Sequence, residues 1–365
     1  MAGVAQGEAR SKARTRAGGA AVPLDATDKE LMNLLQSSFP LAPCPFEGIA
    51  AEAGLELDEV MTRSERLLDH RIIREITPIF DTRALGYNSM LVAARVDPKH
   101  PHRAAKIVNS HPGVSHNYLR NHEFNLWFTI ATPPDSELGI EGTLSAISEL
   151  TGAESIRQLP TLTLFKINMN LEMAGDTQAL AASVEPAPPR QLEPQPYDDT
   201  DIAVIRALQG PMRVVDRPYD AAADEVGMAV EAFLDHLEGM SGRGLLRRVA
   251  AILNHRRAGF SANGMGVWRV PEEDILDVGA RMAAVRGISH CYQRPTYEDW
   301  PYSVFTMAHG RSKDECDAIL DRIADEHELH GDDRATLYSS TEYKKIRLHY
   351  FTDDYARWEA EHGSA

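Results

Sequence analysis

Two short strings in the sequence set an imidazole, a phenol and a guanidinium at alternate positions. Val-Ser-His-Asn-Tyr-Leu-Arg ends at Arg120 and Ile-Ser-His-Cys-Tyr-Gln-Arg ends at Arg294, so His116, Tyr118 and Arg120 match His290, Tyr292 and Arg294 at an offset of 174 (290 − 116). On a β-strand, residues two apart share a face, so each string presents its three side chains on one surface. Arg binds carboxylates through a planar fork, Tyr offers a stacking ring with a polar tip, and His titrates closest to neutral pH. Such a face can hold carboxylates and deliver a proton. A single histidine of this kind is more often a hairpin cap; its recurrence with the same companions favours chemistry.

The strings belong to a longer internal repeat. At an offset of 173 (201 − 28), Asp28 falls on Asp201, Leu35-Gln36 on Leu208-Gln209, Gly54 on Gly227, Arg74 on Arg247 and Gly86 on Gly259. Two copies of one unit share the chain, and a ligand site between them would be pseudo-twofold. Lys166 aligns with Lys345 (345 − 166 = 179) near the start of each copy's last strand, where ammonium groups would meet further carboxylates. The basic segment His255-Arg256-Arg257 is a third candidate contact, with Arg83 standing opposite Arg256 in the first copy. Trp127 and Trp300 are read as slot walls or as core. Cys291 beside His290 is a weak nucleophile candidate, because the first copy has Asn117 at that place. His111, His122 and His309 have no counterpart histidine in the other copy and are set aside.

The elements that must carry these residues follow from hydrophobic period and breakers. Residues 1–23 read as a flexible basic tail and 174–196 as a Pro/Ala-rich linker. Between them, 24–85 reads as three helices with a β wing, a winged helix-turn-helix, and 86–173 as a ferredoxin-like βαββαβ unit. Residues 197–258 and 259–365 repeat that order, giving an α+β pseudo-dimer. The last strands are expected over Leu162–Leu171 and Leu337–Phe351. With 43% hydrophobic residues in 365, each copy can close a core. No apolar run suits a membrane span or signal peptide, so a soluble, cytoplasmic chain is expected. Three scattered cysteines support neither a disulfide frame nor a metal site.

A winged helix-turn-helix followed by βαββαβ resembles the Lrp/AsnC regulators, which raises a haem- or porphyrin-responsive transcription regulator as the alternative function. The third helix of each copy weighs against it. Asp58, Glu59, Glu65 and Asp69 offset Arg63, Arg66 and Arg71 in one, and Glu231, Asp235 and Glu238 precede Arg243 in the other. With a net charge of −16, specific DNA binding is not expected.

The strings themselves, with Asn-Leu-Trp-Phe-Thr in copy one, Trp-Pro-Tyr-Ser-Val-Phe-Thr-Met in copy two and Leu-Phe-Lys-Ile-Asn-Met before the linker, resemble the siroheme decarboxylases, in their fused two-subunit form from haem d1 biosynthesis. The resemblance runs from residue 24 to 360. It implies oxygen-independent loss of two acetate carboxyls from siroheme, giving 12,18-didecarboxysiroheme. The expected partners are siroheme and its products, and a homo-oligomer of the fused chain is allowed. No separate cofactor or metal is expected, since the substrate carries its own iron. Within that reaction His116 and His290 are read as proton donors, one per acetate. Arg120 and Arg294 are the expected carboxylate anchors, with Tyr118, Tyr292, Lys166, Lys345, His255, Arg256 and Arg257 as further contacts.

Overall fold

The computed structural model describes residues 23–37, 39–167, 193–253 and 262–363. Copy one opens with α1 (Ala26–Ser37), α2 (Pro45–Ala53) and α3 (Leu57–Asp69), followed by the wing strand β1 (Ile73–Phe80). Pro45 preorganises the first turn of α2, and Gly54 ends it at φ 65°, a left-handed conformation glycine adopts without a Cβ clash. Then come β2 (Asn88–Arg95), α4 (Pro101–Ser110), β3 (Val114–Arg120), β4 (Leu126–Thr132), α5 (Gly139–Thr151), β5 (Ser155–Leu159) and β6 (Thr163–Ile167). Copy two supplies α6 (Asp199–Leu208), α7 (Asp220–Val226), α8 (Val230–Gly242), β7 (Leu246–Leu253) and β8 (Ala262–Trp268). It continues through α9 (Ile275–Ala284), β9 (Ile288–Gln293), β10 (Val304–Gly310), α10 (Lys313–His327), β11 (Arg334–Leu337), β12 (Ser339–Lys345) and α11 (Asp354–His362).

The two winged helices share one core rather than closing two. β1 pairs antiparallel with β7, Ile76 opposite Ala251, and Leu31, Phe46 and Leu67 join Val204, Phe233 and Leu237 in a single apolar cluster. Below them lie two five-stranded antiparallel sheets, in the orders β12-β3-β4-β2-β5 and β11-β8-β10-β9-β6. α4 and α5 cover one outer face, and α9 and α10 the other. Between the sheets, Phe124, Trp127, Trp300 and Phe305 pack with Met265, Val267, Leu159 and Leu337. Trp127 and Trp300 are almost fully buried with ring centres 5.2 Å apart, so they are core.

The strand order corrects the sequence reading at the end of each copy. Neither expected last strand completes its own unit. β5 stays beside β2, and after Pro160, which lacks a ladder N–H, the chain crosses to add β6 to copy two's sheet beside β9. Copy two returns the exchange: β11 stays beside β8 and β12 pairs with β3. Residues 346–353 then pass under the first winged helix, where Tyr350 packs on Phe80 and Tyr87. The unexpected helix α11 buries Trp358 in copy one's sheet-helix core.

Buried carboxylates hold the third helices. Arg63 donates to Asp25 and Asp28 (both 2.9 Å) and to Glu59 (2.8 Å), and Arg66 also bonds Asp28. In copy two Asp201 takes two bonds from Arg243 (2.6 and 2.8 Å) and one contact with His236 (2.8 Å). Burial raises the Asp201 pKa, but the Arg243 bonds and the Asp198 N–H outweigh it and leave it below the ordinary value. A depressed carboxyl pKa stabilises the fold above the unfolded value of about 4, and that stability fades as pH falls through the folded pKa. Asp201→Asn is expected to cost about 2 kcal/mol at neutral pH, less than a fully buried pair because Arg243 is partly exposed. Urea titrations at a series of pH values check this; the variant should also lose less further stability on acidification than the parent.

Candidate functional site

Two side chains on the helix faces fix which way the paired strings point. Asn117 donates to the Ala105 carbonyl (3.3 Å) and to Asn109 (2.9 Å) under α4, and Cys291 points its Sγ at the Gly279 carbonyl (3.4 Å) under α9. Burial pushes the Cys291 thiol up to about 12, which removes it as a nucleophile. With those residues turned outward, the strand alternation sends His116, Tyr118 and Arg120, and likewise His290, Tyr292 and Arg294, to the face between the sheets.

Each imidazole is oriented by the hydroxyl just before it. Ser115 Oγ lies 3.0 Å from His116 Nδ1, and Ser289 Oγ 2.7 Å from His290 Nδ1. Fixing Nδ1 leaves Nε2 as the nitrogen that can meet a ligand. These serines were not among the sequence candidates, although both strings contain them. The His and Tyr ring centres are 6.2 Å apart in copy one and 6.0 Å in copy two.

The arginines differ from expectation. Arg120 is stacked near Tyr118 and Trp127 and donates to the Leu337 carbonyl of the other copy (3.1 Å). Arg294 lies over Tyr292 and Phe305 and donates to the Leu159 carbonyl of copy one. Burial pulls both down to about 10, still charged at neutral pH. Each is therefore a staple between the sheets. Nε of each is buried and has no hydrogen-bond partner among the described residues.

The staples also show where the two strings stand. Arg120 on β3 reaches β11, and Arg294 on β9 reaches β5, so the histidines lie at opposite edges of the sandwich. The chain thus has two candidate half-sites, a number that the sequence left open. Both half-sites are composite, because the neighbouring strand comes from the other copy. β12 places Lys345 opposite His116. β6 places Ile167 opposite His290, and its Lys166 pairs with Cys291 on the helix side. The true counterpart of Lys166 is Lys344 (344 − 166 = 178), which stands opposite Asn117 and donates to the Asn109 and His111 carbonyls. Lys166 therefore leaves the histidine face, and Lys345 stays on it. Arg74, also missed from sequence, donates to the Lys345 carbonyl at 3.0 Å. Burial first, then Lys345 and Arg74, push the His116 pKa down to about 4. At that value the His116 imidazole is neutral at pH 7 before substrate arrives. His255, Arg256 and Arg257 lie outside the described residues.

Comparison with known proteins matches both copies of the repeat to domain families. The AsnC-like ligand binding domain family matches residues 84–166 and 257–344, and the siroheme decarboxylase NirDL-like HTH domain family matches 28–74 and 201–247. A siroheme decarboxylase from Hydrogenobacter thermophilus is 38% identical over 330 residues, covering 90% of this chain and 96% of its own. The chain belongs to the siroheme decarboxylase family. A siroheme decarboxylase NirDL subunit from Paracoccus pantotrophus is 32% identical, over 87% of this chain and 95% of that one. A crystal structure of the siroheme decarboxylase NirDL in co-complex with an iron-uroporphyrin III analogue superposes with a TM-score of 0.73 at 32% identity, covering 93% of this chain and 99% of that one.

The staples make a stability prediction for this chain. Arg120→Ala removes a half-buried cation with its bond to the Leu337 carbonyl and opens a cavity beside Trp127, at an expected cost of about 2–4 kcal/mol. Arg120→Lys should restore only part of this, since a single ammonium replaces the planar fork. Thermal unfolding of both variants is the check; parent-like melting would place Arg120 outside the sheet interface.

Proposed function

We propose that this chain removes the two acetate carboxyls on rings C and D of siroheme as CO₂, giving 12,18-didecarboxysiroheme, with His116 and His290 as the proton donors of its two half-sites. The twice-built imidazole–phenol–guanidinium face, closed each time by a strand from the other copy, supports that reading best. In each step the bond between the acetate CH₂ and its carboxylate breaks, CO₂ leaves, and the electron pair stays on the carbon attached to the macrocycle, which delocalises it. The imidazolium Nε2–H then gives its proton to that carbon, a methyl group results, and neutral imidazole recovers a proton from solvent. The macrocycle itself is the electron sink, so the reading calls on no resident cofactor.

A neutral His116 in the empty protein fits this sequence of steps. Carboxylates of the docked ring, placed beside the imidazole, counter the effect of Lys345 and Arg74 and raise its pKa, so the proton arrives with the substrate. Binding of the analogue iron uroporphyrin should then take up roughly one proton, seen as buffer-dependent heat, and should tighten as pH falls. Heat independent of the buffer would remove His116 from this role. In anaerobic turnover followed by mass spectrometry, His116→Ala and His290→Ala should each slow decarboxylation roughly 10²-fold, the scale of one general acid, with the one-CO₂-loss product accumulating. Parent rates in both variants would discard the mechanism.

The regulator reading lacks support in the winged helices. Arg63, Arg66 and Arg243 are tied to Asp25, Asp28, Glu59 and Asp201 instead of presenting a basic stripe to phosphates. Protein lacking residues 1–22 is expected to keep decarboxylation and to give no sequence-selective DNA shift at about 0.15 M salt, where weak surface attraction is screened. A nanomolar, sequence-selective shift would reinstate DNA reading.

A further inference from the structure

The two half-sites share a plan and differ in charge. At the imidazole of copy one, the exchanged strand supplies Lys345, and Arg74 is bonded to that residue's carbonyl. At the matching register position of copy two stands Ile167, a residue type with no charge to offer, and the position opposite Tyr292 is Leu164. Arg247, the counterpart of Arg74 at the 173-residue offset (247 − 74), is committed to the Asp81 carboxylate, Nε to Oδ2 at 2.7 Å. Asp81 itself is buried and also receives the Arg83 and Ala84 N–H groups, so that pair is fixed. Two features run the other way. Glu342, exposed and opposite Tyr118, subtracts one charge from the first half-site, and Arg83 adds one to the second near Arg294. Glu342 stands away from the imidazole along the strand, and Arg83 acts at the packed end of its face. Beside the imidazole itself, among the described residues, the contrast between Lys345 with Arg74 and Ile167 remains.

We propose that the half-sites are unequal in affinity: the His116 half, through Lys345 and Arg74, docks the carboxylate-bearing edge of the tetrapyrrole tightly, and the His290 half holds a second ring only weakly. A ring edged by carboxylates gains a charge-assisted hydrogen bond for each cation that reaches its rim, and removing one such bond weakens binding by about tenfold or more. The difference arises from residue identity at one position: the exchanged strands share a register in which Lys344 matches Lys166 on the helix side and Lys345 matches Ile167 opposite the histidine. The inference rests on the tetrapyrrole reading of the site. It adds which half-site takes the ring first.

The test is an anaerobic titration of the full chain with iron uroporphyrin, followed at the Soret band and by native mass spectrometry, alongside a siroheme turnover assay. One tight equivalent per chain is expected, with a second appearing only at about tenfold or higher concentration. Lys345→Ile should abolish the tight phase, and Lys345→Gln, which keeps a polar strand residue, should weaken it in the same direction. Ile167→Lys should leave the tight phase in place and strengthen the weak one. Two equal phases in the parent would overturn the proposal, as would a tight phase unmoved by both Lys345 variants. Absence of siroheme turnover in the parent would instead count against the decarboxylase reading, so the two failures are distinguishable.

Discussion

Two backbone ladders, β6 on β9 and β12 on β3, cross from one copy of the repeat to the other, and the geometry of both half-sites depends on them. A strand edge left open at β3 or β9 would expose unpaired N–H and C=O groups beside the reacting face. Filling each edge with the other copy's strand satisfies those groups and makes the fused chain a closed interlock. It also brings to each histidine a residue that its own copy does not encode.

The inter-sheet layer works in the same cross-copy manner. Arg120 and Arg294 each reach a carbonyl of the opposite copy, while Trp127 and Trp300 meet at the centre. Charged groups this well buried are held in place by packed rings and by the backbone dipoles they bond. The faces therefore grade from a packed arginine end toward the imidazole end, where ligand chemistry can occur.

Above the sheets, the two winged helices are tied internally and to each other. Their basic residues neutralise buried aspartates, and their wings pair with each other through β1 and β7. The same pairing that merges the two apolar cores carries Arg74 to Lys345, so the winged-helix unit contributes a cation to the neighbourhood of His116.

Much of this was legible in the amino-acid order. The repeat offset, the three-helix-and-wing pattern and the period-2 alternation of the strings each follow from local periodicity, and they correctly group His116 with Tyr118 and Arg120, and His290 with Tyr292 and Arg294. The serines before each histidine were in plain view, but a hydroxyl carries no pattern that marks it as an imidazole partner until the ring is placed. What tertiary structure alone decided was pairing between distant segments. Lys166 and Lys345 align in sequence at one offset, yet the exchanged strands pair at an offset smaller by one, and a one-residue slip in a strand moves a side chain to the opposite face. Register across such separations is set by bulges and by which edge is open, and neither leaves a mark in local composition. That is why the chain's own sequence could name the chemistry while only the fold could say which lysine stands beside a histidine.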